Sequence, residues 1–422
     1  MKIFSWLKHL LRAKIYTKQK KYDLALKSYI RAVCIDNSPS KKIIPYDNEI
    51  AFLADKIIKD KNFDILTMQN AEYDRNNVLI LNTEIYDTGG HTECAIRYIE
   101  KTKENVYFYC VLFNTKSMQT APVKSEKIKS LVKDYTESDL SCGYADRVIN
   151  VLNYIRKNKI GIIYSNIHMY DAMGCAVLAI VKKYFKDIKI IFWNHGDHFF
   201  ALGTSFADEI YTRVKNGRAL SAYLKDNKNC KYGKFVINYD PSKNISEAEK
   251  SELREKLGVP QDAFVTMTGC VIDKIGKEYG QMIDKILKKN ANIYHLFICP
   301  SYPQKEKELK NIFKNNSRVI LHPGTPEFDK YIQITDLYVD SFPQGSALTL
   351  FDFIKYKKPV VIKINEKEPI KSFEEYLYPN YEYAFKTSKE MIDGVSKLCN
   401  DTDEYNKISQ KVWEYFVDYC KN

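Results

Sequence analysis

Nine short, almost wholly apolar runs recur along the chain, each separated from the next by a stretch of helical periodicity. The first four are VLILNT (78–83), VYFYCVLF (106–113), GIIYSN (161–166) and KIIFWN (189–194). The rhythm restarts after roughly 235–260 with FVTMTG (264–269), YHLFIC (294–299), RVILH (318–322), DLYVDS (336–341) and PVVIKI (359–364). A strand apolar on both faces must be covered on both faces, which a parallel sheet with crossover helices achieves. The pattern predicts an α/β chain of two Rossmann-like doubly wound parallel sheets in series. A length of 422 residues suits two or three domains.

The segment ahead of the first sheet has a different character. In KYDLALKSYIRAVCID, Tyr22, Ala25, Tyr29 and Ala32 fall at the spacing Y-x2-A-x3-Y-x2-A, which resembles the second half of a tetratricopeptide repeat. One repeat cannot stand alone, so residues 1–45 read as a helical hairpin docked on the adjoining domain. Within it Ile3, Phe4, Leu7, Leu10, Leu11 and Ile15 form one apolar stripe with Trp6 beside it. Two readings of the stripe stand open, packing inside the hairpin or lying on a membrane surface. Residues 46–235 are then the first Rossmann-like domain and 236–403 the second. The amphipathic segment 404–422 is expected to be a closing helix that crosses back to the first domain.

Charge is concentrated at the start. Residues 1–42 hold eleven Lys and Arg against Asp23 and Asp36, a net of +9 out of +12 for the whole chain. The remainder is nearly balanced and lacks basic residues interleaved with aromatics, so a nucleic-acid partner is not expected. The basic head points to an anionic surface or partner. Ten cysteines never form a CxxC pair, and several lie in apolar strands, which suits free buried thiols and a cytoplasmic protein. No apolar run reaches the roughly 18 residues of a spanning helix, and no signal peptide is expected. Any membrane association would be peripheral, on the inner face.

In open parallel sheets ligands sit at the carboxyl ends of the strands. In the second half, DLYVDSFPQGSALTLFDFIKYKKPVV (336–361) has a strand, a turn with Pro343 and Gly345, and a helix predicted to open at Ser346 or Ala347. Free backbone N–H groups there, with Gly allowing close approach, suit a diphosphate, and Asp352 would reach ribose hydroxyls. In the first half Gly89 and Gly90 make a βα loop ending at His91. Asn194, His195, Asp197 and His198 come directly after the run KIIFWN, and His168 comes after GIIYSN. Four of the seven histidines thus fall just after a strand of one sheet. H-x-D-H also suggests metal ligands, but without a third or fourth ligand in sequence no metal is expected. Catalysis, acceptor orientation and structural capping remain the readings, with His195 or His91 as proton acceptor and Asp197 fixing the imidazole.

The segment 336–361 resembles the C-domain signature of GT-B glycosyltransferases, in which a Glu, seven residues and a second Glu precede a P-V-V strand. Its F-P-x-G-S turn is similar to that of large bacterial and O-GlcNAc-type transferases. The resemblance places Asp352 at the second acid, which holds the ribose, and Gln344 at the first, which meets the donor sugar. LGVPQDAFVTMTGCVIDKIGKEYGQMIDKILKK (257–289) resembles the first strand and phosphate loop of the same domain. Gly269 matches, Cys270 stands where Arg is usual, and Lys274, with Lys277 as runner-up, is the diphosphate cation. His322 would lie by the base. The resemblance implies a nucleotide-sugar-dependent glycosyltransferase with a glycan hydroxyl acceptor, in surface polysaccharide or glycan synthesis, and without a cofactor. The alternatives are a GT-B-fold epimerase or polyol-phosphate transferase, and a catalytically inactive scaffold, which the losses at Gln344 and Cys270 would suit.

Overall fold

The computed structural model describes residues 2–35, 44–112, 122–195, 201–212, 229–300, 302, 304–364 and 380–421. Two compact units emerge: Met1–Asp87 with His91–Lys234, and Thr88–Gly90 with Phe235–Asn422. The chain passes from the first unit to the second at Lys234/Phe235.

The first unit opens with α1 (Lys2–Lys18), α2 (Tyr22–Ile35), α3 (Ile44–Asp60) and α4 (Ile65–Gln69). The sheet comes next as β1 (Asp74–Asn82), α5 (Gly90–Lys101), β2 (Asn105–Cys110), α6 (Pro122–Leu131), β3 (Asp134–Glu137), α7 (Tyr144–Lys157), β4 (Ile160–Asn166), α8 (Ala172–Tyr184), β5 (Lys189–Trp193), β6 (Glu209–Thr212) and β7 (Cys230–Tyr232). All seven strands are parallel, in the order β3-β2-β1-β4-β5-β6-β7. Strand order reverses at β1, so the β1/β4 pair is the switch point at which the crossovers diverge.

The helical head is part of this unit's core. Tyr22, Ala25, Tyr29 and Ala32 are all buried, in one apolar cluster with Leu79 and Leu81 of β1 and Tyr144 and Val148 of α7. Small residues at 25 and 32 let α2 approach α1, while Tyr29 fills the space beside them. Polar clamps complete the docking. Asp23 accepts the Ala145 backbone N–H at 2.9 Å, and buried Asp47 accepts the N–H groups of Gly203 (2.9 Å) and Ser205 (3.1 Å). The stripe foreseen on α1 divides: Trp6 and Leu10 pack against the core, whereas Leu7, Leu11 and Ile15 are exposed.

The second unit comprises α9 (Glu247–Lys256), β8 (Phe264–Gly269), α10 (Lys277–Lys289), β9 (Ile293–Cys299), α11 (Glu306–Ile312), β10 (Val319–Pro323), α12 (Phe328–Gln333), β11 (Leu337–Val339), α13 (Leu348–Ile354), β12 (Val360–Lys363), β13 (Ala384–Phe385), α14 (Ser388–Asn400) and α15 (Thr402–Lys421). Its six parallel strands run β10-β9-β8-β11-β12-β13, with the switch point between β8 and β11. Helix α9 carries the capping box Ser246/Glu249 and stops at Gly258, whose φ of +68° is left-handed. Helix α15 packs on α13 and α14 of this unit, with Tyr419 against Phe351 and its hydroxyl accepting the Phe235 N–H at 2.5 Å.

Every apolar run of the sequence is a strand. The short strands β3, β6, β7 and β13 were not foreseen; at two to four residues each, they are too brief to show periodicity. The run before His195 is consequently the fifth strand of its sheet, not the fourth.

Candidate functional site

Each unit gathers polar side chains at its own switch point. In the first, β1 ends at Asn82 and is followed by Thr83 and Glu84, β4 ends at Asn166, and Asn194 and His195 follow β5. The imidazoles of His91, at the start of α5, and His168, just past β4, stack with ring centres 4.6 Å apart. His195 stands 4.7 Å from His91 on the other side. The parallel sheet explains why three rings converge, because His91, His168 and His195 each follow a strand at its carboxyl edge.

Hydrogen bonds orient these rings. Asn82 Nδ2 donates to the Glu84 carbonyl at 2.5 Å, which leaves Asn82 Oδ1 to accept from Asn166 Nδ2. Asn166 therefore presents its own Oδ1 outward, and His195 Nε2–H donates to it. His91 Nε2–H donates to the Asn166 backbone carbonyl at 2.9 Å. A neutral His91 or His195 is thus the Nε2–H tautomer with its lone pair on Nδ1. His91 Nδ1 is buried and has no hydrogen-bond partner among the described residues. Burial holds His91 down to about 4, and burial together with the neighbouring His91 holds His168 well below the usual range. Around them Tyr86 donates to Glu84, and its hydroxyl lies 3.3 Å from His168 Nε2. Thr83 ties the pieces together, donating to buried Asp171 at 2.5 Å and accepting the His168 N–H at 2.8 Å.

Asn194 is buried beside His195, its N–H donating to the Tyr211 carbonyl at 2.9 Å. Asp197 and His198 lie outside the described residues. Gly89 takes a left-handed φ of +98°, which explains glycine there, and Gly89 and Gly90 group with the second unit. Among the described residues no group of three or more His, Cys, Asp and Glu is placed to hold a metal ion.

In the second unit the turn after β11 meets the loop after β8. Lys274 Nζ donates to the Gly345 carbonyl at 3.2 Å, and the Gln344 N–H reaches the Lys274 carbonyl at 3.4 Å. Lys274, Gln344, Gly345 and Ser346 are therefore neighbours. Gly269 closes β8 beneath the ring of Phe328, and Lys277 opens α10. Cys270 is buried, and burial pushes its thiol up to about 12, so it supplies no charge where the family pattern has Arg.

A residue not foreseen organises this turn. Asp340, fully enclosed at the end of β11, accepts the backbone N–H groups of Ser341 and Ser346 through Oδ1, each at 2.9 Å. Burial raises its carboxyl to about 7 against the pull of those donors and of Lys274. A Cβ at position 345 would come within 2.9 Å of Asp340 Oδ2, so the turn needs glycine at that point. Ser341 Oγ donates to the Gln344 carbonyl at 2.7 Å, and Tyr338 and Ser346 hydroxyls bond at 2.6 Å. The helix opens at Leu348, one or two residues later than expected, because the Ser346 N–H is turned inward onto Asp340. A strand-end aspartate six residues before a serine was the available signal.

The remaining two residues lie apart from that turn's bonds. Asp352 is buried on α13, 3.3 Å from Lys355, which also binds Asp329 at 3.0 Å. His322, at the end of edge strand β10, donates from Nδ1 to the Pro323 carbonyl (2.6 Å) and accepts from the Tyr331 hydroxyl (2.9 Å).

Two reversed-order parallel sheets in sequence, each with a polar switch point, define the GT-B fold, and solved structures agree. The chain aligns over 98% of its length with 86% of an O-GlcNAc transferase of Thermobaculum terrenum, at 13% identity and a TM-score of 0.55. It covers 97% of Anabaena Alr3699/HepE, solved with UDP and glucose, using 82% of its own length at 14% identity and a TM-score of 0.61. It is similar as well to the UDP-GlcNAc 2-epimerase of Neisseria meningitidis bound to UDP-GlcNAc, at 11% identity and a TM-score of 0.52 over 82% of this chain and all of that one. No family model and no curated protein matches the sequence.

Proposed function

We propose that the chain is a glycosyltransferase that moves a sugar from a nucleoside diphosphate-sugar to a hydroxyl of a glycan acceptor. The observation that carries this is the placement of Lys274 against the Gly345 carbonyl at the switch point of the second sheet. A cation beside a glycine turn, at the strand ends where GT-B proteins bind nucleotides, suits a diphosphate. The Anabaena neighbour was solved with UDP-glucose, and the Neisseria neighbour with UDP-GlcNAc.

The acceptor oxygen forms its bond to the anomeric carbon as the bond from that carbon to the diphosphate breaks. The acceptor proton passes to Nδ1 of His195, whose Nε2–H is pinned by Asn166. The diphosphate leaves as an anion, and Lys274 stabilises the charge that develops on it. Gln344 hydrogen-bonds the donor sugar without adding charge, His322 faces the base, and Asp352, fixed by Lys355, accepts from the ribose. Asp197 contributes to fixing the imidazole of His195, and His198 to acceptor orientation.

The similarity to a 2-epimerase favours a second reading, in which the same nucleotide site serves epimerisation of the donor sugar. Incubation of the purified chain with a panel of nucleotide-sugars, with product analysis by mass spectrometry and NMR, separates the two. Release of a nucleoside diphosphate supports the transferase. A donor recovered intact but inverted at C2 supports the epimerase, and an unchanged panel that still binds supports an inactive scaffold.

A further inference from the structure

The exposed side of α1 combines features that the packing of the head does not explain. Leu7, Leu11 and Ile15 are 40%, 53% and 50% exposed, and they lie four residues apart on one line along the helix. Lys8, Arg12 and Lys18 are exposed on the same side. Among the described residues no carboxylate pairs with Lys8, Arg12 or Lys18, although Lys14 and Lys20 of the same hairpin are paired with Glu49 and Asp60. Repulsion among unpaired cations costs stability, and exposed aliphatic side chains gain nothing in water. Both are relieved by one kind of partner, an apolar layer beneath a sheet of negative charge.

We propose that this face of α1, with Leu7, Leu11 and Ile15 flanked by Lys8, Arg12 and Lys18, docks on an anionic phospholipid surface. The helix lies in the plane of the headgroups, its three aliphatic side chains reaching the acyl boundary and its cations meeting phosphates. Among the described residues no helix is long and apolar enough to cross a membrane, so the attachment is peripheral and reversible. Aliphatic residues without interleaved aromatics favour lipid over nucleic acid, which is bound by stacking as well as charge.

Co-sedimentation of the full chain with vesicles of phosphatidylglycerol and phosphatidylcholine, against phosphatidylcholine alone, tests the proposal. Binding is expected only with the acidic vesicles, and about 0.5 M salt should release it, because the Debye length then falls well below that at physiological strength. The triple variant Lys8→Gln/Arg12→Gln/Lys18→Gln should bind about 100-fold more weakly, each cation near an acidic surface being worth about a factor of five. Leu7→Ser/Leu11→Ser/Ile15→Ser should lose binding by about tenfold or more, from the apolar area withheld from the bilayer. Both variants alter exposed positions, so unchanged melting curves establish that they are folded. Equal binding to neutral and acidic vesicles, no binding to either, or binding untouched by both variants overturns the proposal. So does a concentration-dependent dimer that the serine variant abolishes, which would assign the face to a second copy of the chain.

Discussion

His195 Nε2–H points at the side-chain oxygen of Asn166, and that amide is itself oriented by Asn82. Two amides thus carry the direction of the Glu84 carbonyl to an imidazole, which puts the lone pair of the neutral ring on Nδ1. His195→Ala should lower transfer by about 100-fold to 10,000-fold, the usual scale for a general base, with donor affinity barely changed. His91 is the competing base, but burial lowers it to about 4, which suits a neutral acceptor of hydrogen bonds better than a group that must take a proton. Steady-state transfer rates and donor titrations of His195→Ala and His91→Ala decide the matter. Full transfer in His195→Ala with loss in His91→Ala assigns the base to His91.

Asn166 should behave as a positioning residue. Asn166→Ala removes the acceptor that pins His195 and should depress turnover while leaving donor affinity intact. The pH–rate profile should shift on its basic-group limb, which a purely structural loss would leave in place. A fall in melting temperature without any change in that profile would deny Asn166 this role.

How the sheets are built was largely legible beforehand, since continuous apolar runs such as 294–299 admit few alternatives to a buried parallel strand. The polar ends were legible only as residue types. Four histidines after strands marked the edge of one sheet, yet nothing in linear order showed that Asn166 would serve both His91 and His195. Asp340 went unnoticed because a strand-terminal acid ordinarily faces solvent, whereas here the Gly345 turn folds back over it. Asp352 was legible as an acid near a helix start, but its pairing with Lys355 depends on helical spacing combined with burial from neighbouring elements.

Asp340 makes stability depend on pH in a definite sense. Its folded-state carboxyl is raised to about 7, so between the unfolded value near 4 and pH 7 the folded chain holds a proton that the unfolded chain has released. Stability from this group is full below pH 4 and lost as pH rises through 7, by up to about 1.4 kcal/mol per unit. Asn keeps the oxygen that accepts Ser341 and Ser346 but does not ionise. Asp340→Asn should therefore melt higher than the parent at pH 8 and about equally at pH 4. Parallel melting curves of the two proteins across that range would show that Asp340 does not titrate in the folded chain.

Buried histidines act in the opposite direction. His295, enclosed beside Thr266 and Tyr279, is lowered to about 3 by burial, and His91 to about 4. Their contribution is full above pH 6.5 and lost on acidification, at about 1.4 kcal/mol per unit for each group. Chemical denaturation at pH 7 and pH 5 should show a lower midpoint at pH 5, and His295→Gln should reduce that difference.

The helical head should prove inseparable from the first sheet. Removing residues 1–42 would expose Tyr144, Val148 and the apolar partners of Tyr29, and would strip Asp23 from the start of α7. Expression should yield aggregated or molten protein. Asp23→Ala alone should cost about 1 kcal/mol, the usual value of a lost helix cap. A soluble truncated chain with cooperative melting would make the head an appendage.

The most direct measurement is calorimetric titration of the intact chain and of Lys274→Ala with UDP-, GDP-, CDP- and ADP-sugars. One nucleotide-sugar should bind the parent, and Lys274→Ala should bind it about tenfold or more weakly, since a charge-assisted hydrogen bond is worth roughly 1.5–3 kcal/mol. Equal affinity of the two proteins for every donor, or no binding of any donor to the parent, would contradict a nucleotide-sugar site at Lys274.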